Sequence, residues 1–198
     1  MIIGLDFDNT IVCHDRSIKE IAKKYFDLPR TLILTKENVR DHLRSTNREG
    51  DWTIMQGIIY GPGMIHAVPE NGVISCLKHC NEMGHSLKII SHRSKFPYAG
   101  DKHDLHMYGR EWIRNYLQKA GLFKGKNEIF FCETKKEKLR KIEELKCDIF
   151  VDDLPEILKS PDFPKTTKKV LYDSQCSNNS EGSTIINSWA EFEWILNQ

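Results

Sequence analysis

The residues best suited to chemistry stand at the ends of short apolar runs. Asp6 and Asp8 follow the apolar run MIIGL, and carboxylates two residues apart at a strand end can point to the same side. One carboxylate can then attack an electrophile while the other handles a proton or helps to hold a cation. Ser91 closes the run SLKII, and Asp152 and Asp153 close the run DIFV. Acidic and hydroxyl groups therefore recur at several predicted strand ends.

A lysine cluster opens a predicted helix in the stretch KKEKLRKIEEL. The apolar residues of this helix are spaced three apart and define one inward stripe: Leu139, Ile142 and Leu145. Lys135 lies four residues before Leu139, so at ~100° per residue it stays on that stripe. Lys138, four before Ile142, lies near the edge of the stripe, whereas Lys136 turns toward solvent. We therefore predict that Lys135 reaches the strand ends, with Lys138 as the second choice.

The elements that position these residues follow from an alternation of apolar runs and helical patterns. Buried strands are predicted at residues 1–5, 87–90, 129–131, 149–151 and 170–172. Helices are predicted at 72–83, 108–120, 135–145 and 188–196. This order predicts an α/β fold with a doubly wound, mainly parallel sheet. Ligands of such sheets bind beyond the carboxyl ends of the strands, where the acidic and hydroxyl residues stand.

One interval breaks the alternation. Residues 14–68 contain no convincing buried strand but several helix-like segments, and the interval is too long for a structureless connection, since loops beyond ~15 residues are uncommon. We predict a small helical insertion here. The catalytic core then comprises residues 1–13 and 69–198.

The composition excludes several classes of protein. The 198 residues include 29 Lys or Arg and 28 Asp or Glu, for a formal charge of +1, which argues against a binder of nucleic acid polymers or of anionic membranes. The start lacks the basic region of a signal peptide. The six cysteines form no CxxC pair, so reduced thiols in a cytoplasmic protein are expected. The oligomeric state is left open.

Taken together, the motifs resemble those of the haloacid dehalogenase superfamily of phosphotransferases. The matching pieces are LDFDNT, IIS, the TKKEKL region and FVDD, so the resemblance covers about residues 1–13 and 70–160. It implies a Rossmann-like core with a small helical cap inserted after the first strand, which matches the position of residues 14–68.

The resemblance also implies a function. It predicts a phosphomonoesterase in which Asp6 is the nucleophile and forms an aspartyl-phosphate. Asp8 would be the general acid and base, which protonates the leaving oxygen and then activates water. The presence of both aspartates disfavours the alternative of a phosphate-binding or regulatory protein without turnover.

A cofactor and binding roles follow from the charge of the substrate. A phosphate monoester repels carboxylates, so a divalent cation is needed, and oxygen ligands suit Mg²⁺. The predicted metal ligands are Asp6, the backbone carbonyl of Asp8, Asp152 and Asp153. The predicted phosphate ligands are Thr10, Ser91, His92 and Lys135. Arg93 is assigned to the leaving group of the substrate.

The substrate class stays broad at this stage. A small phosphorylated metabolite is expected, either a sugar phosphate or a nucleotide. Activity like that of a 5′-nucleotidase is the main alternative among enzymes, with Trp52, Tyr60 or Phe96 as candidates to stack on a base. Transfer of the phosphoryl group to an acceptor other than water also remains open.

Overall fold

The fold is described from a computed structural model, which covers residues 1–125, 127–176 and 182–196. The strands are β1 (Ile2–Leu5), β2 (Val12–Cys13), β3 (Val68–Pro69), β4 (Ser86–His92), β5 (Ile129–Cys132), β6 (Ile149–Asp152), β7 (Lys168–Tyr172) and β8 (Thr184–Ile186). The α-helices are α1 (Asp15–Tyr25), α2 (Lys36–Ser45), α3 (Glu49–Tyr60), α4 (Val73–Glu82), α5 (Leu105–Ile113), α6 (Lys135–Glu144), α7 (Pro155–Leu158) and α8 (Trp189–Leu196). A 3₁₀ helix spans Pro62–His66, and a π-helical turn spans Arg114–Gln118.

The main sheet has six strands in the order β5-β4-β1-β6-β7-β8, and all its neighbours are parallel. Leu5 at the end of β1 pairs with Ile89 on one side and with Val151 on the other. The chain moves outward from β1 in one direction and later returns to fill the other side, so the strand order reverses beside β1. The predicted α/β fold is confirmed, and such a reversal is where α/β sheets bind ligands.

The central strands are buried on both faces, as the parallel arrangement requires. All four residues of β6 are buried, and β1 is almost wholly apolar. Gly4 of β1 is needed for this packing, because a Cβ added there would lie 2.6 Å from a ring carbon of Phe150. The close approach brings β6 tightly against β1 and sets the positions of the residues that follow both strands.

The chain divides into two compact units. The first unit comprises Met1–Val12, Pro69–Arg93 and Tyr116–Gln198 and contains the main sheet. The helices α6 and α7 pack onto this sheet around a cluster of buried residues that includes Ile142, Phe150 and Leu158. The sheet and its flanking helices therefore form a core of their own.

The second unit comprises Cys13–Val68 and Ser94–Asn115. Its own core is formed by buried side chains of the helices α1 to α3: Ile18, Ile21, Ala22, Val39, Leu43, Trp52, Met55 and Ile59. The segment Ser94–Asn115, which sequence analysis grouped with the sheet, joins this unit for two packing reasons. The indole Nε1 of Trp112 donates to the carbonyl of Ala67 at 3.0 Å, and Gly57 of α3 leaves room for Pro97.

Within the part of the chain that the structure describes, no helix is both long and apolar enough to cross a membrane.

Candidate active site

The loop after β1 carries both aspartates of the first motif. The backbone N–H of Asp6 donates to the carbonyl of Val151 at 2.8 Å, which extends the pairing of β1 with β6 by one step. Asn9 then adopts a φ of 59°, in the left-handed region that asparagine tolerates better than most residues. The turn is closed by hydrogen bonds from later backbone amides to the carbonyl of Phe7. Asp6 and Asp8 are thereby held just beyond the end of the central strand.

An acidic cluster lies at the carboxyl edge of the sheet. Asp6, Asp152 and Asp153 each offer a carboxylate oxygen, and these oxygens all lie within 4.8 Å of one another. Asp6 follows β1 while Asp152 ends the neighbouring β6, so the parallel pairing of the two strands brings them together. Hard oxygen donors in such a group suit Mg²⁺. The residues present therefore fit the cation that the sequence predicts.

The ammonium of Lys138 stands among these carboxylates. Its Nζ lies 2.6 Å from Oδ1 of Asp6 and 2.6 Å from Oδ2 of Asp152. The side chain is buried, with 1% of its surface exposed, and its Nζ lies 5.4 Å from the ring centroid of Phe150 in β6. Lys138 therefore links α6 to the ends of β1 and β6 through one desolvated cation.

Burial shifts the ionisation of this group. Desolvation raises the pKa of Asp6 from 3.8 to about 7, because the nearby Lys138 only partly offsets the loss of water and the Asp152 carboxylate adds repulsion. For Lys138, burial alone would lower the pKa, but the carboxylates of Asp152 and Asp6 raise it above its ordinary value. Two carboxylates thus share one ammonium at a buried site, and Asp6 is partly protonated in the metal-free protein near neutral pH.

Lys135 lies elsewhere, contrary to the prediction that it serves the phosphate. Its side chain is 52% exposed and pairs with the exposed Glu156. A capping box of Thr134 and Glu137 starts α6 just before Lys135, so Lys135 stands in the first turn and its ammonium stays at the surface. Lys138, one turn further along, takes the buried position. The structure therefore corrects the choice of lysine from Lys135 to Lys138.

Asp8 pairs with Arg93. The Nη1 of Arg93 donates to both carboxylate oxygens of Asp8 at 2.6 Å, and the Arg93 side chain is only 2% exposed. Sequence analysis assigned Arg93 to the substrate and missed this pair, because 85 residues separate the partners and no local pattern connects them. The guanidinium of Arg93 thus contacts a catalytic candidate of the protein itself.

Three other predicted phosphate ligands lie at or near strand ends. Ser91, close to the end of β4, and Thr10 are both fully buried, and within the described part of the chain neither hydroxyl has a hydrogen-bond partner. Buried hydroxyls without a partner are rare and need an explanation; a bound ligand supplies one. His92 is half-buried, and burial, assisted by the charge of Lys138, lowers its pKa. The phosphate-binding roles of these residues stay predictions.

Solved structures of haloacid dehalogenase-like hydrolases share this fold and confirm the predicted resemblance at that level. A predicted phosphatase from Clostridium acetobutylicum superposes with a TM-score of 0.66 at 13% identity, over 100% of this chain and 98% of that one.

Two further structures share the fold. A haloacid dehalogenase-like hydrolase from Streptococcus pneumoniae has a TM-score of 0.64 at 12% identity, over 100% of this chain and 98% of its own. A hydrolase of the same type from Deinococcus radiodurans, solved with bound phosphate and sodium, has a TM-score of 0.55 at 13% identity, with coverage of 98% and 94%. No family model matches the sequence, and no curated protein matches it.

The first prediction separates the two lysines. Lys138→Met in metal-free protein leaves Asp6 and Asp152 buried without their cation, so it should lower the free energy of unfolding by about 3–5 kcal/mol. Lys135→Met removes only an exposed ion pair and should change it by less than about 1 kcal/mol. Urea denaturation in EDTA measures both variants. The reverse order of the two effects would contradict the corrected assignment.

The second prediction concerns pH. The pKa of Asp6 is about 7 in the folded protein, against an ordinary value of 3.8. The protonated form of Asp6 therefore stabilises the folded protein below pH 4, and this stabilisation is lost as the pH rises toward 7. Asp6→Asn does not titrate. In EDTA, the stability of this variant relative to wild type should therefore rise between pH 4 and 7, by at least about 1 kcal/mol. Urea denaturation across that range tests it, and a constant difference would show that Asp6 titrates normally.

Proposed function

We propose that this protein is a Mg²⁺-dependent phosphomonoesterase that hydrolyses a small phosphorylated metabolite. The observation that carries the proposal is the acidic cluster with its buried lysine, next to the buried, unpartnered hydroxyl of Ser91 at the same edge of the sheet. Carboxylates alone would repel a phosphate ester. A cluster that holds a cation and adjoins an ammonium and hydroxyl donors instead suits a phosphoryl group. The phosphate bound by the Deinococcus radiodurans protein of the same fold supports this choice of ligand.

The metal would be held by the carboxylates of Asp6, Asp152 and Asp153, with the backbone carbonyl of Asp8 as a further ligand. When bound, Mg²⁺ neutralises charge between nucleophile and phosphoryl oxygens and favours the ionised form of Asp6. This matters because Asp6 is partly protonated in the metal-free site near neutral pH, and a protonated carboxyl is a poor nucleophile. A metal held at Asp6 would therefore also favour the reactive form of the nucleophile.

The residues of the chain orient the phosphoryl group. Among the described residues the hydroxyls of Ser91 and Thr10 have no hydrogen-bond partner, so they can donate to phosphoryl oxygens without breaking a bond seen there. The ammonium of Lys138, already beside Asp6, adds a positive charge near the position where negative charge develops. His92, whose pKa is lowered by burial, already hydrogen-bonds the backbone of Glu133, so its phosphate-binding role stays a prediction.

The reaction has two steps. In the first, a carboxylate oxygen of Asp6 attacks phosphorus, the bond from phosphorus to the ester oxygen breaks, and Asp8 gives its proton to that leaving oxygen. In the second, Asp8 takes a proton from water, whose oxygen attacks phosphorus and releases Asp6 and inorganic phosphate. The pair with Arg93 favours the ionised form of Asp8 in the free protein, whereas a phosphate dianion beside it favours the protonated form. Asp8 would therefore take up a proton with the substrate, lose it to the leaving group and regain it from water.

Nucleotides remain the second candidate as substrates. Trp52 is buried in the core of the second unit and cannot stack on a base. The ring of Phe96 is partly exposed, and the ammonium groups of Lys102 and Lys95 lie 4.6 and 5.5 Å from its centroid. These ammonium groups lie over the ring face that a base would stack on, so the ring does not separate nucleotides from sugar phosphates, and both stay in the panel to be tested.

The third prediction is the activity itself. Purified protein should release phosphate from at least one compound in a panel of sugar phosphates and nucleotides. The activity should disappear in EDTA and return with Mg²⁺. Asp6→Asn should reduce it by at least about 1,000-fold, because the nucleophile is lost. Full turnover by metal-free protein, or near wild-type turnover of Asp6→Asn, would refute the proposal.

The fourth prediction tests phosphate binding by Ser91. Ser91→Ala removes a buried hydroxyl that has no partner, so the free energy of unfolding should stay the same or increase. The value of kcat/KM should nevertheless fall by about 10- to 100-fold, because a donor to the phosphoryl group is lost. Ser86→Ala, at an exposed serine of β4, is the matched control and should change neither quantity. A loss of stability without a loss of activity in Ser91→Ala would give Ser91 a structural role.

A further inference from the structure

The environment of Arg93 is unusual for a residue at the mouth of an active site. Its guanidinium is buried, and a single nitrogen donates to both carboxylate oxygens of Asp8. The guanidinium carbon also lies 5.7 Å from the ring centroid of Phe7 and 5.9 Å from that of Phe131. Asp8 itself is 16% exposed. The arginine is therefore buried, while the carboxylate that it holds stays partly exposed.

The arginine is fixed at both ends of its side chain. Its backbone N–H donates to the carbonyl of Cys132 at 2.8 Å and so continues the pairing of β4 with β5. At the other end, the rings of Phe7 and Phe131, whose centroids are 5.8 Å apart, offer faces to the guanidinium, which stacks well on aromatic groups. A cation restrained in this way loses little entropy when it orients a partner. It is also too deeply enclosed to recognise a variable part of a substrate.

We infer that Arg93 is a positioning residue that acts on the substrate only through Asp8. This inference rests on the proposed phosphatase function. Arg93 restricts the rotation of the Asp8 side chain, so that its carboxyl group meets the leaving oxygen in the first step and the attacking water in the second. In the acidic cluster a second cation, the ammonium of Lys138, pairs with Asp6. Each aspartate of the motif thus has its own cation.

This role differs in its kinetic consequences from the substrate contact that the sequence predicted. A residue that binds the leaving group contributes to KM, whereas a residue that orients the general acid contributes to kcat. The effect should also depend on the substrate. The leaving oxygen of an alkyl phosphate needs a proton, while that of p-nitrophenyl phosphate needs almost none, so loss of an oriented acid should harm the alkyl substrate more.

The fifth prediction uses Arg93→Met with the best alkyl phosphate of the panel and with p-nitrophenyl phosphate, at saturating Mg²⁺. For the alkyl phosphate, kcat should fall by about 100-fold with KM changed less than about threefold. In kcat/KM, which reports only the first step, the loss with p-nitrophenyl phosphate should be clearly smaller, because the second step is common to both substrates. Arg93→Lys, which keeps the charge but not the planar fork, should recover part of the loss. Adding Arg93→Met to Asp8→Asn should cause no further decrease in kcat with either substrate.

Two further variants make the experiment decisive. Arg140→Met, at an exposed arginine of α6, should leave kcat and KM unchanged. Phe131→Leu keeps Arg93 but removes one aromatic face, so it should lower kcat by severalfold at constant KM, and it serves if Arg93→Met does not fold. A rise in KM with kcat preserved, or a further loss when Arg93→Met is added to Asp8→Asn, would overturn the inference. Failure of the proposed function is seen separately, as inactive wild-type protein.

Discussion

The buried ammonium of Lys138 is the interaction on which the rest of the site depends. It lies 2.6 Å from carboxylate oxygens of both Asp6 and Asp152, and so it ties α6 to the ends of β1 and β6. A buried cation is tolerated only where such partners surround it, and the three clustered carboxylates would repel one another strongly without it. One positive charge cannot neutralise all three carboxylates. The site therefore retains a demand for positive charge, which a proton or a divalent cation can meet.

The two aspartates of the first motif are only two residues apart, yet their surroundings differ. Asp6 faces the acidic cluster, and its pKa is raised to about 7. Asp8 faces Arg93, which is packed against Phe7 and Phe131. Different environments allow two carboxyl groups to perform different chemistry. The left-handed turn at Asn9 and the aromatic packing of Phe7 are the local features that maintain this separation.

The sheet brings the reactive groups together, because parallel strands end at one edge. The register of β1 with β4 and β6 places Asp6, Ser91 and Asp152 at that edge, and the fully buried strands make the positions rigid. The second unit has a separate core and is built from two distant segments of the chain, Cys13–Val68 and Ser94–Asn115. The chemistry can thus be described from the first unit alone.

The sequence alone determined the α/β fold and the position of Asp6 and Asp8 directly after a strand. It could do so because alternating apolar runs and the spacing of the two aspartates are local patterns. Only the tertiary structure decided between Lys135 and Lys138. Periodicity placed Lys135 on the apolar stripe of α6 and Lys138 near its edge, but the packing of the helix against β4 and β5 buries only Lys138. The pairing of Asp8 with Arg93 was equally hidden, because partners 85 residues apart meet only when β4 is placed beside β1.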